Sequence, residues 1–288
     1  MFFLSMAHGM KSPLFFALSF FVLFASSISA EQKQLTKIQI VSDFIPENNK
    51  ADKNIANKIM LTIGERISPA TVLEFIPASR LREWKQLQTM PDVCLYNKVK
   101  NSEREQSAFF NQYPIMAFPS NRLVIYNHPE LSQDITLEEV IQKHKFLIGI
   151  SAGRSYGKHI DQFIASHPDN FVDINGDKSS RRLHEMLFQN KLDAILEYTT
   201  VLKERFKNDP RIEKTRFLSI DEESHAVFGY LACSRSEQGK LNIATFDKVL
   251  KETTMQNQII KLHQQLFTDP ERSLLISALK AKFNLPLN

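Results

Sequence analysis

The chain has 288 residues, of which 43% are apolar and 24% charged. That length and balance exclude a disordered chain and allow two modest domains or one large one. The formal charge of +4 is spread over 36 Lys and Arg and 32 Asp and Glu; without a basic stripe, nucleic acid is set aside as a partner.

Residues 1–30 read as a secretory signal peptide. Lys11 precedes a dense apolar run from Leu14 to Ala25, and Ser26-Ser27-Ile28-Ser29-Ala30 offers a small-residue exit with cleavage after Ala30. Met10 is an alternative start. An uncleaved anchor ranks second, because the run is short of the roughly 20 residues a span needs. No Cys lies near the cleavage site, so a lipid anchor is not expected. Export puts Cys94 and Cys233 in an oxidising compartment. Both lie in apolar strand-like runs, and the sequence leaves two readings open: two buried thiols or one disulfide.

From residue 37 the chain alternates strands and helices. Lys37–Phe44 is β-rich and alternating; Ile55, Ile59, Met60, Ile63 and Ile67 fall on one helical face; Val72–Ile76 is a second strand. Ser79 then caps a helix carrying Leu81, Trp84 and Leu87, and Asp92–Tyr96 is a third strand. A charged turn carries Glu103, Arg104 and Glu105 before the pair Phe109-Phe110. A strand at Arg122–Tyr126 leads into a second series: a short helix capped by Thr136 and Glu139, then a strand at Lys145–Ile150 and a loop at Ser151–Gly157. It continues as a helix at Lys158–Ser166, a strand at Phe171–Ile174, a helix at Ser179–Asn190 and a strand at Asp193–Leu196. A return strand at Val227–Cys233 precedes helical stretches at Asp247–Phe267 and Arg272–Phe283. The β-α-β order implies parallel sheets flanked by helices. The expected architecture is α/β with two lobes, lobe one discontinuous (31–125 and 231–288) and lobe two inserted (126–230). Two strands, near residues 123–127 and 227–232, would join them as a hinge that closes around a ligand.

Ligands of open α/β sheets bind outside the carboxyl ends of the strands. Arg104 lies there, and a guanidinium can hold a carboxylate through two parallel hydrogen bonds; on spacing alone, a surface Arg paired with Glu103 or Glu105 is the favoured reading. The loop Ser151-Ala152-Gly153-Arg154-Ser155-Tyr156-Gly157 opens a helix, where free N–H groups and the Ser155 hydroxyl favour an anion, or it is an ordinary tight turn. Glu197 and Tyr198 end a strand, where they could meet an amine and a ring, or form a solvated strand end. Trp84 reads as core, and of Arg80 and Arg82 one is expected to face the cleft. The eight His are scattered without metal-ligand spacing, there is no Gly-x-Ser-x-Gly, and neither Cys has a neighbouring His. No catalytic residue, metal or cofactor is therefore expected.

Lys100-Asn101-Ser102-Glu103-Arg104, Phe109-Phe110, Tyr113-Pro114, Leu123-Val124-Ile125, Phe146 to Gly153 and Asn190 to Ile195 resemble the bacterial extracellular solute-binding proteins of family 3, the periplasmic amino-acid-binding type. Pro77 to Arg80, Asp92 to Leu95 and Gly153 to Gly157 look most like a little-characterised branch. The resemblance implies a type II periplasmic-binding-protein fold, Arg104 on a ligand carboxylate and Ser155 beside the hydroxyl residue that shares it. It also implies a monomer with a small-molecule solute and a membrane permease or sensor receptor as partners, and a periplasmic location. Phe44, Arg80, Gly153, Arg154, Tyr156, Glu197 and Tyr198 complete the expected ligand-binding set. Two departures bear on the solute: the usual Gly-Phe-Asp segment is replaced by Glu47 to Asn54, and the amine-binding acid aligns with Tyr198, leaving Glu197 one position early. The function expected is solute binding for an ABC transporter. Feeding a signalling receptor is the alternative, and a dehydratase-like enzyme relying on Glu197 with Arg104 or His159 ranks lower.

Overall fold

The structure, a computed structural model, describes residues 35–44, 46, 54–176, 178–220 and 225–287. The expected signal peptide and most of the Glu47–Asn54 segment lie outside them. The first sheet is built from β1 (Thr36–Ser42), β2 (Thr71–Pro77), β3 (Val93–Val99), β4 (Ala108–Phe110) and β5 (Met116–Phe118). Between them run α1 (Ile55–Ile67), α2 (Arg80–Thr89) and the short α3 (Ser102–Ser107). β1 pairs in parallel with β2 and β3, as a β-α-β-α-β order requires.

The second sheet takes β6 (Arg122–Tyr126), β7 (Ile148–Ser151), β8 (Phe171–Ile174), β9 (Ala194–Glu197) and β10 (Thr215–Leu218). Its helices are α4 (Leu137–Gln142), α5 (Lys158–Ser166), α6 (Ser179–Phe188) and α7 (Thr199–Arg205). The strand order is β10-β6-β9-β7-β8, with β7 parallel to β8 and β9 and β6 antiparallel to its neighbours. The chain then returns to the first sheet as β11 (Val227–Ser234), antiparallel to β3, β4 and β5. It finishes with α8 (Glu237–Leu250), α9 (Thr253–Leu266) and α10 (Glu271–Phe283). The fold is thus α/β with two helix-flanked sheets, as the alternation predicts, and each sheet carries one strand antiparallel to its neighbours, β11 in the first and β6 in the second.

The boundaries expected at residues 125/126 and 230/231 cut through β6 and β11. The sheets instead hold β6 whole in the second and β11 whole in the first, so one crossing runs through residues 119–121. At that point Ser120 Oγ donates to His225 O at 3.2 Å and accepts from His225 N at 3.3 Å, tying the outgoing chain to the returning one.

Local chemistry sets the helix ends. Asn54 accepts from Ala56 N at 2.9 Å to start α1, and Ile55, Ile59, Met60 and Ile63 face the core. Thr136 and Glu139 form the reciprocal capping box that their spacing predicts. The expected helix Asp247–Phe267 is two helices. Glu252 is extended between them, and Gln256 Nε2 donates to Leu250 O at 3.0 Å, satisfying a carbonyl at the end of α8.

The first core packs α1, α8, α9 and α10 against β1, β3 and β11. At its centre Cys94 and Cys233, directly opposed on β3 and β11, form a disulfide, which decides between the two readings of these residues. α2 departs from its expected packing: Leu81 is exposed and Glu83 is fully buried beside Leu87.

Candidate functional site

The C-terminal ends of β1, β3, β7 and β9 converge on a cavity of about 510 Å³ walled by both sheets. Burial on this scale suits a small molecule. Of the nine residues expected to bind ligand, Phe44, Arg80, Arg104, Gly153, Arg154, Ser155, Glu197 and Tyr198 line it; Tyr156 does not. Tyr156 is buried in the second sheet's core, and its hydroxyl accepts from Ser151 N at 2.8 Å.

Arg104 is positioned by α3, a helix that the sequence reading treats as a charged turn. Asn101 caps it by accepting from Arg104 N at 2.9 Å. The side chain turns inward, and its guanidinium lies 4.7 Å over the ring of Trp84. It donates to Val99 O at 3.1 Å and, across the cleft, to Gly153 O at 3.0 Å. Among the described residues Arg104 has no carboxylate within 4.0 Å, so the expected alternative of a surface pair with Glu103 or Glu105 is not the one observed. Burial lowers its pKa, against the pull of Asp161.

The opposite wall is built differently. Arg154 donates to Glu197 Oε1 at 2.8 Å and to Asn121 Oδ1 at 2.9 Å, and its guanidinium lies within 4.8 Å of both the Tyr156 and Tyr198 ring centres. Glu197 also accepts from Tyr198 N at 2.9 Å and contacts His184 Nε2 at 3.2 Å. The side chains are 11% and 3% exposed. Burial alone would push the Glu197 carboxyl up; Arg154 and His184 outweigh it and hold the carboxyl well below the usual carboxylate range. On Arg154, burial is overcome in the same way by Glu197, and the pKa rises. Glu197 is therefore a structural anion on the cavity wall.

A third constellation sits beneath α2. Arg80 Nε pairs with Asp43 Oδ2 at 2.9 Å and its Nη2 reaches Ser180 Oγ at 3.4 Å across the cleft. Arg82 is exposed, so of the two Arg it is Arg80 that faces the cavity. Lys98 pairs with Glu83, which also accepts from Asp43 N. Burial raises the Glu83 pKa, with Lys98 pulling the other way. This pairing is why Glu83 can occupy the inner face of α2.

Ser155 donates to Asp161 Oδ2 at 2.5 Å, and Tyr156 N donates to Asp161 Oδ1 at 2.7 Å. The first turn of α5 is thus closed by its own acid. Gly153 has φ +76°, and a Cβ there would sit 3.2 Å from Leu81 and 3.3 Å from Arg80. Its glycine answers both the left-handed backbone and the close approach of the two walls.

Sequence reasoning misses Lys98, Asn121, His184 and Arg205, as well as the stack of Phe118 on Tyr198 at 4.5 Å that joins the two sheets' elements. Asn97 gives a partial signal. It is left-handed at φ 56°, and a Cβ on Gly229 opposite would meet its Oδ1 at 2.1 Å, so the rare glycine at 229 marks a close approach.

No family model matches the chain, and no curated protein matches it. Solved structures do. An arginine transport-system periplasmic binding protein from Legionella pneumophila superposes with a TM-score of 0.60 at 16% identity, over 81% of this chain and 100% of the other. An amino-acid ABC transporter substrate-binding protein from Streptococcus pneumoniae, bound to L-arginine, gives 0.59 at 16%, over 87% and 97%. A variant of the arginine-binding protein of T. maritima gives 0.61 at 13%, over 81% and 95%. The two-lobed fold expected from the sequence is therefore the fold of these binding proteins, across nearly their whole lengths.

Proposed function

We propose that the protein is an exported solute-binding protein. It closes its lobes on a small polar solute bearing a carboxylate and presents it to a membrane partner, an ABC permease. The observation that carries this reading is the cavity walled by both sheets, with Arg104 reaching across it to Gly153 O. Arg104 spends two donors on backbone carbonyls and retains further N–H groups for a ligand oxygen, since a guanidinium carries five. Its position over Trp84 holds the plane of the fork fixed, which reduces the ordering cost of binding.

Lobe closure is supported by the topology. The sheets connect through the Ser120 and His225 crossing; beside the stack of Phe118 on Tyr198, the hydrogen bonds that span the cleft among the described residues include Arg104 to Gly153 O, Arg80 to Ser180, and Thr200 Oγ1 to Glu271 Oε2 at 3.1 Å. Such contacts break and re-form at small cost in water. A catalytic role finds little support. A general base works best with a pKa near the operating pH, whereas Glu197 is held far below it by Arg154 and His184. His159 is exposed and does not line the cavity.

The test is a thermal-shift and calorimetric screen of the purified protein against amino acids, carboxylates and polyamines, repeated on Arg104→Gln. The expected result is a solute that raises Tm and is recovered chemically unchanged, with its affinity lost in the variant. A screen without binders, or a binder indifferent to Arg104→Gln, defeats the proposal.

A further inference from the structure

We propose, building on the reading that this cleft binds a solute, that the occupant carries two acidic groups, one met by Arg104 and the other by Arg205, with Arg80 between them. The ground is the charge inventory of the wall. Five cations line the cavity, Arg80, Lys98, Arg104, Arg154 and Arg205, against two acids, Glu197 and Glu204. Three of the cations are matched inside the protein: Arg80 by Asp43, Lys98 by Glu83 and Arg154 by Glu197. Glu204 faces outward to Lys207 at 3.5 Å, a contact between half-exposed side chains.

Arg104 and Arg205 are left. Neither has a carboxylate within 4.0 Å among the described residues. Arg104 donates to two carbonyls and lies over Trp84. Arg205, at the exposed mouth on α7, has His184 Nδ1 at 3.3 Å as its polar contact. Since an Arg can only donate, His184 accepts at Nδ1 and carries its proton on Nε2 towards Glu197. The neutral ring therefore offers Arg205 no countercharge. Arg80 lies within electrostatic reach of both, and its Nη1 is a buried donor without a hydrogen-bond partner among the described residues. The Asp43 Oδ1 acceptor is likewise unpaired among the described residues, but Asp43 does not line the cavity.

These observations point the same way. A solute with one acidic group leaves a guanidinium unmatched. An ammonium finds the strand-end acid, Glu197, already bound by Arg154 and His184. Two acidic groups match Arg104 and Arg205, and the interior one also gives Arg80 Nη1 its acceptor. Burying an anion among fixed guanidinium donors is favourable where each donor is met, and unfavourable where one stays bare.

The test is isothermal titration of the purified protein with three matched pairs: succinate and succinamate, glutarate and glutaramate, L-glutamate and L-glutamine, with L-arginine as the cationic arm. The two members of each pair have nearly the same shape and differ by one acidic group. The expected result is that in at least one pair the acid binds about tenfold or more tighter than its amide, the equivalent of one well-placed charge contact. Arg205→Gln should bring that ratio to within about twofold, and Arg205→Lys, which keeps the positive charge, should preserve much of it. Amides binding as well as acids, L-arginine binding tightest, or a ratio unmoved by Arg205→Gln overturns the proposal. If a neutral or cationic solute binds and is lost in Arg104→Gln, solute binding stands and the two-acid occupant falls. If no probe here and none in the wider screen binds, both fall.

Discussion

Arg104 and Arg154 face each other across one cavity, and their surroundings are opposite. Arg154 meets Glu197 within the protein, two aromatic rings flank it, and Asn121 takes another of its donors. Arg104 meets carbonyls and one aromatic face, and no carboxylate within 4.0 Å among the described residues. A buried ion pair contributes its cost and gain within the fold, so Arg154 is structural. A guanidinium whose charge is left to a neutral shell is available to something else. The same residue type on two walls of one cavity thus serves two ends, and the difference lies in where the balancing carboxylate sits.

The strongest way to break this comparison is to remove the carboxylate from the structural side. Glu197→Ala leaves Arg154 buried and unpaired, and is expected to cost about 3–5 kcal/mol in urea unfolding. The pH dependence carries the same signature. The folded Glu197 pKa is depressed below 4.5, so its stabilisation is complete above that value and is lost as pH falls towards the folded pKa. The variant should lack that part of the acid slope. A double replacement of Arg154 and Glu197 by apolar residues that costs more than Glu197→Ala would contradict the assignment.

His263 extends the comparison to a buried group with no countercharge beside it among the described residues. Nδ1 donates to Ile259 O at 2.8 Å, Nε2 accepts from Ala117 N at 3.0 Å, and burial lowers the pKa from 6.5 to about 4. The unfolded chain therefore binds a proton first as pH falls. Stability is expected to drop by about 3 kcal/mol between the unfolded and folded pKa values. Urea midpoints of wild type and His263→Gln over that window should converge towards acid; parallel curves would refute the neutral histidine.

Arg104→Gln should have a smaller effect on the fold, about 1–2 kcal/mol, from two hydrogen bonds and a cation–π contact. Its main effect should be on solute affinity, read by calorimetry. A loss of stability matching that of Glu197→Ala would erase the distinction between the two arginines. Gly153→Ala is the mildest change. Strain at φ +76° and contact with Leu81 and Arg80 should cost about 1 kcal/mol. It should also weaken solute binding, because Gly153 O accepts from Arg104 across the cleft.

The fold was readable because its signals are periodic. Ile55, Ile59 and Ile63 announce α1, Thr136 and Glu139 announce α4, and the strand and helix alternation announces two helix-flanked sheets with parallel pairs in each. The misses have equally local causes. The run Ser102 to Ser107 is polar throughout and looks like a turn, yet one Asn101 cap makes it a helix and sets the direction of Arg104. β10 and α7 are short and mixed in polarity, and the split at Glu252 carries neither Gly nor Pro. The site was readable in its Arg104 and Gly153 components, which follow directly on the strong strands β3 and β7. Its charge pairing was not. Glu83 with Lys98, and Glu197 with Arg154 and His184, join residues 15, 43 and 13 positions apart, and no linear spacing distinguishes a buried carboxylate from an exposed one.

The Cys94–Cys233 bond does not line this cavity, but it encloses it in sequence. With its ends 139 positions apart, it makes a covalent ring that contains Arg104, Arg154, Glu197, Arg205 and the whole of the second sheet. A protease cut anywhere inside that ring leaves the backbone open and the molecule in one piece. Two fragments would part on a denaturing gel only after a thiol is added, so an exposed loop of the second lobe can be nicked without releasing half of the binding site.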